Sequence, residues 1–395
     1  MLKLDIFKEI KKQEIVDLVV DMVKVNTNNP PGNELKIAEL LGERMRDYGL
    51  EVEIATIEEN RGNVVGILKG KSSKLALLYS GHLDTVPPGE VQWKYGPHEG
   101  KIIGDRIYGR GTADMKGGLA AMIIAVGVLA KAGIKLNGDI IVAGTADEEV
   151  NNIGAQYLVN SGKLKNVSAI IISEPTYNNI FIAQKGVLWI EITTYGKTAH
   201  GSMPNTGVNA IMSMNYFLSK LSKFKFAYKK HSLLGMPTIS VGTIKGGVKT
   251  NVVPDKCTIT IDIRYLPGMN NILIIEELRD ICKSLEETIP NFRIELTIIK
   301  NKLPVETDPS EKIIDVALKT AKVAFNRKLI PKGANYFTDA CVMVPVIRKP
   351  VIILGPGDDK LAHQPNEYVE IPKLIEAVKY FVALPLLYYG YYGKL

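Results

Sequence analysis

Two hydrophobic patterns alternate along this chain, and the change between them predicts its domains. Up to about residue 180, short continuous apolar runs alternate with helical patterns, as in a mostly parallel sheet covered by helices. From 181 to 302 the strands alternate apolar and polar residues, and after 303 the first pattern resumes. We therefore expect an α/β domain of residues 1–180 and 303–395, with a second α+β domain of residues 181–302 inserted into it.

Four apolar runs predict the interior strands of the first domain: LALLYS, DIIVAGT, SAIIIS and VIILG, which begin at residues 75, 139, 168 and 351. An apolar helix is predicted from Met115 to Ala132, after the Gly-rich segment GRGTADMKGG, and Gly133 ends it. The inserted segment has the order β-α-β-β-α-β, the ferredoxin-like plan. Its elements are predicted at 189–195, 208–221, 238–242, 257–265, 272–287 and 292–299.

Composition narrows the class of protein. A length of 395 residues with 46% hydrophobic residues suits about two globular domains. The three cysteines have no paired spacing, and the N-terminus lacks the apolar block of a signal peptide, so we expect a cytoplasmic protein. The apolar tail YFVALPLLYYGYY is shorter than the roughly 20 residues that span a bilayer and contains Pro385. It predicts a terminal helix on the core, and we expect no membrane partner.

The formal net charge is +7, with Lys and Arg spread along the chain. A solvated surface explains this spread better than a nucleic-acid site, so we expect no nucleic-acid partner. A positive surface could nevertheless help to gather an anionic substrate.

Five potential metal ligands follow the predicted buried strands or open the apolar helix. In open α/β sheets, ligands bind beyond the carboxyl ends of the strands, so these side chains can converge at one edge. They are His82, Asp114, Glu149, Glu174 and His363.

Such a set suits two divalent cations, which together can activate water and polarise an amide carbonyl. A carboxylate has two oxygens, so Asp114 is the natural bridge. His82 with Glu174 would hold one cation, and Glu149 with His363 would hold the other. Mixed imidazole and carboxylate ligands favour zinc, with cobalt or manganese possible.

Two further carboxylates have expected roles near these ligands. Asp84 is placed to accept the second imidazole N–H of His82. In an extended segment, Glu148 and Glu149 would point to opposite sides, which leaves Glu148 free as the general base. Taken singly these assignments have simpler explanations, since Asp84 could cap a turn and Glu148 could be a solvated neighbour of a ligand.

The strings GHLDTVPPG, GRGTADMKGG, DEE, SEP and AHQPNE, in this order, resemble the M20 metallopeptidase family. Within it the chain is most similar to the acetylornithine deacetylase and succinyl-diaminopimelate desuccinylase branch, over nearly its whole length. The resemblance implies a lid domain that forms a homodimer, with His200 stabilising the oxyanion, and Arg264 and Asn251 binding substrate. It also implies a cis peptide bond between Asp114 and Met115.

The expected function is removal of an acyl group from an N-acylated amino acid by a metal-dependent amide hydrolase. A carboxypeptidase or dipeptidase acting on short peptides stays open, because it would use the same metals, base and arginine. The loop VNNIGAQ after the acid pair departs from the common desuccinylase form, whereas Glu174 favours deacylase and glutamate-carboxypeptidase relatives. A two-metal phosphoesterase has less need of a paired Glu or a lid His, and a non-catalytic relative should have lost ligands that this chain retains.

Overall fold

The computed structural model describes residues 5–73 and 75–391. Its contacts divide the chain into two compact units. The first unit comprises the chain up to Ala183, Glu306–Gly333 and the chain from Thr338 on, and the second comprises Gln184–Val305 with Ala334–Phe337. The expected boundaries, at 180/181 and 302/303, lie three residues from the main divisions.

The helices of the described chain are α1 Lys12–Lys24, α2 Glu34–Asp47, α3 Gly117–Lys131, α4 Ile153–Asn160, α5 Ala210–Leu221, α6 Asn271–Thr288, α7 Lys312–Phe325, α8 Ala340–Ile347 and α9 Ile371–Tyr388. Short helical turns lie at Asp5–Glu9, Thr112–Lys116 and Pro204–Thr206.

The strands of the described chain are β1 Glu51–Glu58, β2 Arg61–Leu68, β3 Ala76–His82, β4 Lys101–Ile103, β5 Arg106–Tyr108, β6 Asp139–Thr145, β7 Val167–Ile172, β8 Phe181–Gln184, β9 Gly186–Tyr195, β10 Thr238–Gly246, β11 Lys256–Tyr265, β12 Arg293–Lys302, β13 Val305–Glu306, β14 Lys332–Ala334, β15 Val351–Ile353 and β16 Tyr368–Glu370.

The largest sheet has nine strands in the order β1-β2-β6-β3-β7-β15-β8-β13, with β14 paired to β8. Its centre, β6-β3-β7-β15, is parallel, and antiparallel strands flank it. Every residue of β3, β6 and β15 is buried, which agrees with their continuous apolar sequences. The prediction of a mostly parallel α/β fold is confirmed.

Helix α3 lies in the core of the first unit. The helical stretch Thr112–Lys131 is long and apolar enough to cross a membrane by length and composition, yet 89% of it is buried inside the protein. Such burial is that of a core helix. Helix α9 is also buried along most of its length, as predicted for the apolar tail up to Tyr388.

The second unit contains β9, α5, β10, β11, α6 and β12 in the predicted β-α-β-β-α-β order. Its four-stranded sheet has the order β10-β11-β9-β12 and is antiparallel throughout. One face carries the core of the unit, in which Ile190 and Ile261 pack with Phe217 of α5 and Leu278 of α6. The opposite face of β11 is half-buried and polar, which explains the alternating sequence KCTITIDIRY.

Candidate metal centre

The carboxyl ends of the parallel strands carry the predicted ligands. His82 is the last residue of β3, and Glu174 follows β7 by two positions. Glu149 lies in the turn after β6, and His363 lies in the loop between β15 and β16. Asp114 lies in the turn that leads into α3, where the Asp114–Met115 peptide bond is cis, as the resemblance implied.

The two oxygens of Asp114 face two different imidazoles. Asp114 Oδ1 lies 3.1 Å from His82 Nε2, and Asp114 Oδ2 lies 3.3 Å from His363 Nε2. Glu149 Oε2 lies 3.3 Å from the same His363 nitrogen, and Glu174 Oε2 lies 3.9 Å from His82 Nε2. The five side chains therefore form one cluster, with the Asp114 carboxylate between its two halves.

This cluster fits divalent cations by its donor chemistry. The ligand atoms of His82, Glu148 and Glu174 lie within 4.8 Å of one another, and so do those of His82, Asp114 and Glu149. The buried oxygens Glu148 Oε1 and Glu149 Oε1 have no hydrogen-bond partner among the described residues. Buried polar atoms are normally satisfied, and bound cations would satisfy these.

The pKa shifts of the cluster also indicate that positive charge would stabilise it. Burial raises the pKa of Glu148 and of Glu174 well above the usual range of a carboxyl group. Burial alone would lower the pKa of His82, but the carboxylates of Glu174 and Asp114 raise it well above its ordinary value. Hydrogen bonds that the imidazole donates to Asp114 and Glu149 raise the pKa of His363 to about 10. Positive charge beside these buried carboxylates would therefore stabilise their ionised forms.

Asp84 contacts His82 differently from the sequence expectation. His82 Nδ1 lies 2.9 Å from the backbone oxygen of Asp84, whereas the nearest Asp84 carboxylate oxygen is 3.6 Å away. The Asp84 carboxylate instead accepts hydrogen bonds from Asn29 Nδ2 at 2.8 Å and from the backbone N–H groups of Glu148 and Glu149, at 3.0 and 3.1 Å. Asp84 thus fixes the ring through its carbonyl and the acid pair through its carboxylate.

The expectation that Glu148 and Glu149 lie in an extended segment is wrong. The two residues lie in a turn, because Asp147 has a positive φ of 67° and reverses the chain after β6. Their carboxylates consequently both reach the neighbourhood of His82 instead of pointing apart. Both acids therefore lie within reach of a cation bound beside His82.

A buried polar network holds this turn, and no motif in the sequence analysis indicated it. Asp147 accepts hydrogen bonds from Asn29 Nδ2 at 2.7 Å and pairs with Arg61 Nη2 at 3.0 Å. Arg61 Nε also donates to Glu34 at 3.0 Å, and both acids are fully buried. The amide of Asn29 thus ties two buried carboxylates that both support the acid pair.

Glu367 holds the turn that carries Asp114. Its carboxylate is fully buried and accepts hydrogen bonds from the backbone N–H groups of Gly111, Ala113 and Asp114, at 3.1, 2.7 and 3.1 Å. Arg110 Nη1 donates to the same carboxylate at 2.7 Å. Glu367 ends the string AHQPNE, but nothing in its spacing identified it as the support of Asp114.

In the second unit, two residues that the family resemblance implied, His200 and Asn251, lie on adjacent segments. The backbone of His200 pairs with Val252 in a β-bridge, and the N–H of Gly201 donates to the carbonyl of Asn251 at 2.9 Å. Both His200 and Asn251 are exposed. His200 Nδ1 lies 2.7 Å from Ser202 Oγ and accepts from the Ser202 N–H, which orients the ring.

Arg264 lies on β11 with its guanidinium already engaged. Its Nε and Nη2 donate to the two carboxylate oxygens of Asp262, at 2.8 and 3.0 Å. The side chain is 25% exposed. A substrate carboxylate that binds Arg264 would therefore compete with, or share, the Asp262 pair.

The chain is similar to known proteins over most of its length. The sequence model of peptidase family M20/M25/M40 matches residues 78–386. A probable succinyl-diaminopimelate desuccinylase of Staphylococcus aureus (strain MRSA252) is 30% identical over 406 aligned residues, which cover 95% of this chain and 98% of that protein. An acetylornithine deacetylase of Aliivibrio fischeri (strain ATCC 700601 / ES114) is 33% identical over 336 residues, covering 83% and 85%.

A solved structure shows the same fold. The crystal structure of an M20 family metallo-carboxypeptidase from Sulfolobus solfataricus superposes with a TM-score of 0.79 at 20% identity. The superposition covers 95% of this chain and 99% of that one.

Proposed function

This chain belongs to peptidase family M20/M25/M40, and from that premise we propose that it removes an acyl group from an N-acylated amino acid. It is a hydrolase of amide bonds. The single observation that carries the proposal is the placement of Asp114, whose two carboxylate oxygens face His82 and His363 at 3.1 and 3.3 Å. The names of the two relatives, a desuccinylase and a deacetylase, favour a deacylase.

Five residues would hold two divalent cations in this proposal. His82 with Glu174 would hold one cation, Glu149 with His363 would hold the other, and Asp114 would offer one oxygen to each. The mixed imidazole and carboxylate set favours zinc, with cobalt or manganese as alternatives. Bound there, the cations supply the Lewis acidity that activates a water molecule and polarises the amide carbonyl.

The residues of the chain perform the proton transfers. Glu148 is buried, and one of its oxygens has no hydrogen-bond partner among the described residues, so it can accept a proton from the attacking water. It then passes this proton to the departing nitrogen, which becomes the free amine. The Asp84 carboxylate keeps Glu148 in place by accepting a hydrogen bond from the Glu148 backbone N–H, at 3.0 Å.

The second unit supplies the proposed substrate contacts. His200 would donate a hydrogen bond to the oxyanion, since Ser202 orients its ring from the Nδ1 side. Asn251, joined to the same segment, would line the site. Arg264 would bind the substrate carboxylate with its planar fork, in exchange with Asp262.

The second unit also carries a surface suited to a homodimer. Strand β10 is an edge strand, and its apolar residues Val241 and Ile244 are 41% and 58% exposed. On neighbouring α5, Met212 and Tyr216 are 55% and 49% exposed. An apolar edge strand is normally covered, and a second copy of the chain would cover it. We place the protein in the cytoplasm, consistent with its three free, buried cysteines.

A carboxypeptidase or dipeptidase acting on short peptides is the second candidate, supported by the fold shared with the Sulfolobus carboxypeptidase. A hydrolysis panel separates the two. The substrates are N-acetylornithine, N-succinyl-diaminopimelate, other N-acetyl amino acids and unmodified dipeptides, each with zinc or cobalt added. Cleavage of an N-acyl amino acid, lost on chelation and regained with zinc, supports the proposal. Turnover of dipeptides alone selects the second candidate, and activity that survives exhaustive chelation rejects the metal centre.

A further inference from the structure

The net charge of +7 is not shared between the two units. The second unit carries 16 Lys and Arg against 9 Asp and Glu, a balance of +7. The remainder of the chain carries 33 residues of each sign and is formally neutral. The second unit therefore holds the whole charge excess.

Within the second unit, the excess comes from one acid-free stretch. Residues 192–254 contain eight lysines and neither Asp nor Glu over 63 positions. All eight lysines are exposed, and none has a salt bridge to any residue of the described chain. Some exposed lysines of the first unit do pair with acids, as Lys319 does with Asp315 at 2.6 Å. The eight are Lys197, Lys220, Lys223, Lys225, Lys229, Lys230, Lys245 and Lys249.

The same stretch contains His200 and Asn251, the residues that we propose contact substrate. Lys197 precedes His200 by three positions and Lys249 precedes Asn251 by two, and the bridge between His200 and Val252 joins the two segments. Unpaired exposed charges act over a Debye length of about 8–10 Å at physiological salt. No carboxylate within the stretch cancels their field, so an approaching anion meets a positive potential.

We propose, resting on the proposed function, that residues 192–254 form a lysine surface that gathers anionic substrates. The favoured substrate is an N-acyl amino acid with two or more carboxylates, one on the amino acid and another on its acyl group or side chain. Attraction acts before the substrate is bound, so it lowers KM and raises kcat/KM, while kcat depends on the metal centre.

A nucleic acid is the other anion that such a surface could attract. Single-stranded nucleic acids bind through exposed aromatic side chains as well as lysines. In the lysine-rich segment 220–230, however, Phe224 and Phe226 pack against the hydrophobic core of the unit. The segment therefore exposes a single aromatic ring, that of Tyr228, and not the series of rings on which successive bases stack, which favours a small anion.

Two variants with the same change in total charge test the proposal. The first replaces the lysines of the acid-free stretch that lie at the same end of the second unit as His200 and Asn251, Lys197→Glu, Lys245→Glu and Lys249→Glu, none of which is a proposed substrate contact. The control replaces three exposed lysines of the first unit, Lys24→Glu, Lys36→Glu and Lys328→Glu. Steady-state kinetics of the metal-loaded enzyme are measured on dianionic, monoanionic and uncharged N-acyl amino acid substrates, from about 20 mM to about 500 mM salt.

For the dianionic substrate at low salt, we expect the first variant to lose about tenfold in kcat/KM with kcat unchanged, and the control to lose less than about twofold. Salt should reduce the wild-type kcat/KM for the same substrate and leave the uncharged substrate unaffected. Equal losses in both variants, or a salt-independent wild type, would overturn the lysine surface while leaving the deacylase proposal intact. A wild type that cleaves no N-acyl amino acid would refute the proposed function instead. A DNA gel shift that only the first variant abolishes would assign the surface to nucleic acid.

Discussion

Glu148 and Glu149 are neighbours in sequence, and the contacts of their carboxylates indicate which one transfers protons. Both carboxylates are close to His82, and each has a buried oxygen without a hydrogen-bond partner in the described chain. Their second oxygens differ, because Glu149 contacts His363 at 3.3 Å and Glu148 has no ion pair with either imidazole among the described residues. This difference favours Glu149 as the ligand and Glu148 as the base.

Exchanging each acid for its amide separates these roles. We expect Glu148→Gln to keep both cations and the fold but to lose about 10²- to 10⁴-fold in kcat, the usual worth of a general base. The matched variant Glu149→Gln should lose metal as well as activity. Metal content by plasma emission spectrometry, together with kcat, checks both. A Glu148→Gln enzyme that loses one cation would instead make Glu148 a ligand.

Glu367 gives a second prediction, because its carboxylate accepts hydrogen bonds from three backbone N–H groups of the Asp114 turn. In Glu367→Gln an NH2 group replaces one accepting oxygen, so it faces donors and the turn loses its support. We expect the affinity for zinc to fall by about 10- to 100-fold, as for other residues that orient metal ligands. Competition with a chromogenic chelator measures this affinity without any substrate.

The control for Glu367 lies three residues further along the chain. Glu370 is partly exposed and contacts Tyr177 and Arg106, away from the Asp114 turn. Glu370→Gln should leave zinc affinity within about twofold of wild type, since exposed ion pairs contribute little. Equal losses in the two variants would remove Glu367 as the support of Asp114.

Among the elements, the interior parallel strands of the first unit and the strands of the inserted segment were predictable, whereas the turns that carry the ligands were not. DIIVAGT coincides with β6, and SAIIIS differs from β7 by one residue at each end, because a fully buried strand needs a continuous apolar run. The turn after β6 depends instead on the positive φ of Asp147 and on distant partners such as Asn29 and Arg61. Contacts between residues so far apart in sequence leave no local pattern to read.

The packing of α3 on β7 gives a prediction for an element. Gly118 lies so close to the backbone of Ser173 that an added Cβ would come within 2.2 Å of the Ser173 oxygen. Ser173 precedes Glu174, so Gly118→Ala must push apart the helix that follows Asp114 and the strand end that carries Glu174. We expect the free energy of unfolding to fall by about 1–3 kcal/mol, as for other overpacked sites, and zinc affinity to fall with it.

Gly242→Ala is the matched control for this helix contact. Gly242 lies in β10, and an added Cβ there would meet nothing nearer than 3.6 Å. Urea denaturation should therefore give this variant the stability of wild type to within about 0.5 kcal/mol. If the Gly118→Ala protein is as stable as this control, the contact between Gly118 and Ser173 does not limit the stability of the fold.

At the scale of the whole molecule, the proposed machinery is divided between the two units. The predicted cation ligands and Glu148 belong to the first unit, whereas His200, Asn251 and Arg264 belong to the second. The charge divides in the same way, with a neutral first unit and a second unit of +7. The hydrophobic pattern predicted the division, since a sheet with one polar face alternates and a sheet buried on both faces does not. The proposed mechanism therefore draws residues from both units.

The homodimer proposal makes this dependence testable with two inactive chains. His200→Ala removes the proposed oxyanion donor from the second unit, and Glu148→Ala removes the proposed base from the first. If a site takes His200 from the partner subunit, a mixed dimer contains one site with both mutations and one with neither. Statistical exchange makes about half of the dimers mixed, each with one intact site, so we expect roughly a quarter of wild-type activity after co-refolding. Size-exclusion chromatography with light scattering confirms that the mixture is dimeric. Dimers that exchange chains, shown by differently tagged subunits, yet regain no activity would mean that each chain completes its own site.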